Sequence, residues 1–117
     1  MVLDDRRLSR RARSRIEKAG RLTYSTVNFW EIALKLGRSG LEFALPRAWD
    51  DELVGELRVI EVGRVQLEPQ HCRRLQDLPL HHQYPFDWML IAQAQTEEFA
   101  ILTADSRFEK DEVEIVW

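Results

Sequence analysis

Apolar residues recur every three or four positions at Leu8, Ala12, Ile16 and Ala19, which predicts an amphipathic helix. Ser9 suits its N-cap and Gly20 its end. The period then shortens. "LTYST", Leu22–Thr26, is rich in β-formers and reads as a short strand. "NFWEIALKLG" returns to helical spacing, with Asn28 as N-cap, Trp30, Ile32, Leu34 and Leu36 as the buried face and Gly37 as the stop. A loop follows, and Pro46 opens a helix through Leu53 to Leu57. "RVIEV", Arg58–Val62, reads as a strand, and Pro69 starts a helix that carries Cys72 and Leu75 and stops near Pro79. After the loop "LPLHHQY", Pro85 starts a further helix through Met89, Leu90, Ile91 and Ala94. "FAILTA", Phe99–Ala104, is a continuous apolar run, as expected of a strand covered on both faces. "VEIVW", Val113–Trp117, is a last strand.

The predicted order is α-β-α-α-β-α-α-β-β. Strands separated by helices imply an α/β fold with a mainly parallel sheet and right-handed crossovers. Ligands of such sheets bind beyond the carboxyl ends of the strands.

A length of 117 residues suits one domain, and 44% hydrophobic residues supply a core. The single cysteine, Cys72, rules out an internal disulfide and fits a cytoplasmic protein. No apolar run is long enough to span a bilayer. The net charge of −3 is unevenly spread: residues 1–21 carry +5 and residues 22–117 carry −8. Two readings of the basic segment stay open. It is an arm that meets RNA phosphates, or it is a solvated arginine-rich helix face with no interleaved aromatic residues.

Three acids fall at strand-to-helix junctions or strand ends. Glu31 opens the helix after strand 22–26, Asp87 opens the helix before strand 99–104, and Asp105 follows that strand. Each also has a local explanation. Glu31 completes a capping box with Asn28, Asp87 suits the positive end of a helix, and Asp105 forms an Asx turn with Ser106 and Arg107. Together, three carboxylates at one sheet edge would repel one another, and a divalent cation relieves that repulsion. The pairs His71-Cys72 and His81-His82 match no ordinary zinc spacing.

The stretches "RLSRRARSRIEKA", "STVNFWEIALKLGRSGLEF", "LPLHHQYPFDWMLIAQA", "ILTADSRF" and "VEIVW" resemble, in order, those of a PIN domain of the VapC-like toxins of bacterial toxin–antitoxin pairs. The resemblance covers nearly the whole chain, residues 1–117, as a single domain. It implies a three-layer α/β/α fold and a Mg²⁺- or Mn²⁺-dependent endoribonuclease acting on RNA. A cognate VapB-like antitoxin would silence it, and a homodimer is compatible with the family. Glu31, Asp87 and Asp105 match the family's metal-site and catalytic acids, and Thr103 matches the threonine that precedes the last of them. His82 and Arg107, beside the matched acids, are with Thr103 the expected substrate contacts.

Three departures accompany the resemblance. The family opens with a central strand ending in a metal-site aspartate, and "MVLDDRRLS" matches the segment after it. The expectation is therefore an N-terminally truncated domain whose activity is impaired. The alternative is an inactive remnant that binds an antitoxin or another protein. Tyr84 stands where the family often has Asp, and Trp88 where it usually has Arg.

Overall fold

The computed structural model describes residues 9–18, 20–39, 47–79, 85–103 and 113–116. Its elements are α1 (Arg10–Lys18), β1 (Thr23–Ser25), α2 (Thr26–Ser39), α3 (Trp49–Val59), β2 (Gly63–Val65), α4 (Pro69–Gln76), α5 (Pro85–Glu97), β3 (Ile101–Leu102) and β4 (Ile115–Val116). This is the order predicted from the sequence, and both strand pairings are parallel, as expected. Among the described residues the strands form two two-stranded ladders, β1–β2 and β3–β4. The chain divides into two compact units, Arg21–Gln66 and the pair of segments Val2–Gly20 and Leu67–Trp117.

In the first unit, β1 runs straight into α2. Ser25 ends the strand and caps the helix: its Oγ accepts the Val27 N–H at 3.1 Å, and Asn28 Oδ1 accepts the Ser25 N–H at 3.0 Å. This reciprocal pair satisfies exposed helix-start donors and overrides the β preference of Thr26 and Val27. Asn28 is therefore the third residue of α2, not its cap. Gly37 lies inside the helix, which ends at Ser39. The expected buried face is also corrected. Trp30 and Leu34 are 54% and 43% exposed, and the buried residue of this helix is Val27.

The strand expected at Arg58–Val62 is the end of α3 and a turn. Glu61 takes a left-handed backbone (φ 61°), its N–H bonds the Arg58 carbonyl at 3.1 Å, and the Val62 N–H bonds the Leu57 carbonyl at 2.9 Å. These two bonds form a Schellman closure, with the apolar Leu57 and Val62 both buried. The strand begins only at Gly63, whose N–H bonds the Leu22 carbonyl at 2.8 Å. A Cβ on Gly63 would lie 3.1 Å from Thr23 Cγ2, so the close approach of β2 to β1 favours glycine there. Phe29 links β1 to α3 through ring contacts of 5.4 Å with Tyr24 and 5.7 Å with Trp49. Pro46, the expected start of the third helix, lies outside the described residues.

In the second unit, α5 is the core element. Met89, Ile91, Ala92, Gln93 and Ala94 are buried around it, with Asp87 in its first turn. A helix enclosed on several sides reads as the centre of a packed body. It ends as α3 does. Glu98 is left-handed (φ 59°), and the Phe99 N–H bonds the Ala94 carbonyl at 2.8 Å. β3 is shorter than the Phe99–Ala104 run, and Leu102 is exposed, so this strand is not covered on both faces. The last strand is likewise confined to Ile115–Val116 among the described residues.

Helix α4 packs on α5, joined to it by a buried histidine. His71 is 0% exposed. Its Nδ1 accepts the Glu68 N–H at 3.0 Å, which leaves Nε2 to donate to Glu97 Oε1 at 2.9 Å. Arg74 Nε adds a bond to Gln95 Oε1 at 2.7 Å. His71 therefore ties the start of α4 to the last turns of α5, a structural role that uses both ring nitrogens.

Candidate metal and nuclease site

Pro85 and the two residues after it set the position of the first candidate acid. Proline suits the opening position of a helix because its missing N–H is not needed there. Asp87 is then the third residue of α5, where a negative charge complements the positive end of the helix dipole. The position is also enclosed: Asp87 is 8% exposed. The residue has interactions of its own, and its Oδ2 is fully enclosed and accepts no hydrogen bond among the described residues. Burying a carboxylate is costly, so such groups are paired, hydrogen-bonded or used to hold a cation. A carboxylate is a hard oxygen donor, which fits Mg²⁺ or Mn²⁺ in kind.

Glu31 has different surroundings. It is the sixth residue of α2, nearly two turns beyond the cap, and so does not open the helix or complete a capping box. Its Oε2 lies 3.2 Å from Lys35 Nζ, with the two side chains 28% and 76% exposed. An exposed i,i+4 pair of this kind contributes about 0.3–0.5 kcal/mol. That is too little to withhold the carboxylate from a divalent cation. The Glu-x-x-x-Lys spacing was present in the sequence and is the signal that would have found this partner.

Thr103 lies just past β3, where its N–H bonds the Val116 carbonyl at 3.1 Å and extends the ladder toward the strand's carboxyl end. Asp105, Arg107 and His82 lie outside the described residues. Glu31 belongs to one compact unit, and Asp87 and Thr103 belong to the other. Among the described residues, no three histidine, cysteine, aspartate or glutamate side chains group into a metal site. His71 is committed to its packing role, Cys72 is an exposed free thiol, and His81 and His82 lie outside the described residues.

The family model of the PIN domain matches residues 1–112. The chain belongs to the PIN domain family, a nuclease-like α/β class whose members are usually dependent on divalent metal ions. No curated protein gave a significant match. Among the described residues, no helix is long and apolar enough to cross a membrane.

Proposed function

We propose that this chain is a VapC-like endoribonuclease of a toxin–antitoxin pair. Glu31, Asp87 and Asp105 would hold Mg²⁺ or Mn²⁺ at one edge of a three-layer α/β/α domain that spans residues 1–117. The observation that carries the reading is the burial of Asp87 in the first turn of the apolar helix α5, within a chain that belongs to the PIN family. When bound, the cation would supply an activated water and charge stabilisation for in-line attack on a phosphodiester. The chain's own residues do the rest. α5 presents Asp87 from a rigid, packed helix, which limits the motion of the carboxylate. The Glu31–Lys35 pair is exposed and weak, so Glu31 would be available as the second carboxylate. Thr103, His82 and Arg107 would contact the RNA. The partners are the RNA substrate and a VapB-like antitoxin, in the cytoplasm, with a homodimer compatible with the reading.

The alternative is a binding module with little or no catalysis. The exposed Trp30 and Leu34, one turn apart on α2, favour it, because large apolar side chains left open on one face suit a protein partner. Cleavage of a labelled single-stranded RNA in Mg²⁺ or Mn²⁺ separates the two. The nuclease reading expects cutting that stops in chelator, falls at least about 100-fold in Asp87→Asn and is unchanged in Asp77→Asn. Cutting that is indifferent to Asp87→Asn would be a contaminant's, and no cutting under any of these conditions leaves the binding module.

A further inference from the structure

The basic helix α1 is not used by the site described above, and the charge at its start runs against its own stability. Its nine residues carry Arg10, Arg11, Arg13, Arg15 and Lys18 against one acid, Glu17. The first turn holds no acid and three arginines, at the end of the helix where the dipole disfavours positive charge. Arg11 and Arg15 are a like-charge pair at i,i+4 spacing, which also disfavours the helix. Local rules broken in this way mark positions kept for something other than folding.

The helix is nevertheless held firmly from its other side. Ala12 is fully buried, Ser9 Oγ accepts the Ala12 N–H at 2.9 Å, and Arg15 reaches Glu114 Oε1 at 2.9 Å beside β4. The exposed side then presents Arg11, Arg15 and Lys18 as one stripe at i, i+4 and i+7, about 10 Å long. Arg10 is exposed beside it. No aromatic side chain lies on α1, so the stripe has nothing on which a base could stack.

We propose that this face of α1 is a docking surface for the phosphate backbone of single-stranded RNA, engaged without regard to sequence. The choice of RNA over other polyanions rests on the nuclease reading. Charge complementarity carries the rest: a local cationic stripe on a chain of net charge −3 attracts a phosphate strand to this helix and not to the acidic remainder.

The test is fluorescence anisotropy with a fluorescein-labelled oligouridylate of about 15 nucleotides, in EDTA so that nothing is cut, over about 50–200 mM KCl. The full chain is compared with the triple variant Arg10→Gln, Arg11→Gln, Lys18→Gln, which spares Arg15 and its Glu114 partner. The variant should bind at least about tenfold more weakly at the low-salt end. The slope of log affinity against log salt should fall by about 2, the share of three phosphate contacts. Its melting temperature should hold, because losing Arg10 and Arg11 relieves the helix start while losing Lys18 removes a charge that suits the helix end, and Glu17→Lys should tighten binding. Affinity and slope unchanged in both variants would overturn the proposal. So would polyglutamate binding as tightly as the RNA with the same dependence on α1, which would make the face a site for acidic protein. The two proposals fail separately. RNA binding that depends on α1 without any cleavage sinks only the nuclease reading, and cleavage that depends on Asp87 with α1-independent binding sinks only this one.

Discussion

Helices α2 and α5 each carry one of the proposed metal-site acids, yet the two helices are built in opposite ways. α5 buries Met89, Ile91, Ala92, Gln93 and Ala94 and encloses Asp87 with them. α2 leaves Trp30 and Leu34 open, and Glu31 is a partly exposed member of an ion pair with Lys35. Asp87 is enclosed in the first turn of α5, where its charge suits the helix dipole and where it has interactions of its own. A carboxylate in a surface pair costs nothing and is explained by its neighbour. Burial is therefore what supports the proposed role of Asp87, whereas Glu31 enters that proposal only through the sequence resemblance.

The contrast is broken most directly by truncating one apolar residue on each helix. Ile91 is almost fully buried, and Ile91→Ala should cost about 2–4 kcal/mol in urea unfolding. Leu34→Ala should cost under about 1 kcal/mol, since Leu34 already meets solvent. Similar costs would mean that α2 is covered in solution and that the two helices are alike.

The second test concerns what fastens α5. His71→Ala removes the acceptor of the Glu68 N–H and the donor to Glu97 together. Removing the fully buried ring leaves a cavity as well as two lost hydrogen bonds, a cost of about 2–4 kcal/mol, again read by urea unfolding. His71→Asn, whose amide can both accept and donate, should recover part of the loss. A neutral His71→Ala would show that α4 is not held through this ring.

A smaller effect is expected at the helix ends. Glu61 and Glu98 both occupy left-handed positions where glycine is usual. Glu61→Gly and Glu98→Gly should each raise stability by about 0.5–1 kcal/mol in thermal unfolding, because the steric cost of a Cβ disappears. Smallest of all, Lys35→Gln should change stability by no more than about 0.5 kcal/mol, and that change should fade in high salt. A larger or salt-insensitive loss would place the Glu31–Lys35 pair in a drier setting than its exposure indicates.

The same contrasts explain which parts of the fold were legible in the sequence. Ser9 and Pro85 are strong start signals with one meaning, and both helices begin where those residues place them. The β1–α2 junction was misread because two reciprocal caps overlap in "STVNFWE". Asn28 with Glu31 fits the pattern, but Ser25 with Asn28 makes the bonds. "RVIEV" is rich in β-branched residues and reads as a strand, yet α3 propagates through Val59 and closes on Glu61. A left-handed turn at glutamate carries no glycine to announce it, so that boundary could not be seen. Composition also placed Trp30 and Leu34 in a core they do not enter, because helical spacing tells which residues share a face and not whether anything covers it. At the candidate site, the position of Asp87 was legible from "PFD", and its burial was not. The Lys35 partner of Glu31 was written in the spacing but hidden behind the capping reading.

The central claim is that the buried Asp87 holds a divalent metal ion. It is tested most directly by calorimetric titration of Mn²⁺ into the chain, with Asp87→Asn and Asp77→Asn as paired variants. Asp77 ends α4 as an exposed cap, so its substitution controls for the loss of one negative charge. The account predicts Mn²⁺ binding that weakens at least about tenfold in Asp87→Asn, as loss of a direct oxygen ligand requires, and stays unchanged in Asp77→Asn. Equal affinity in the two variants would contradict it.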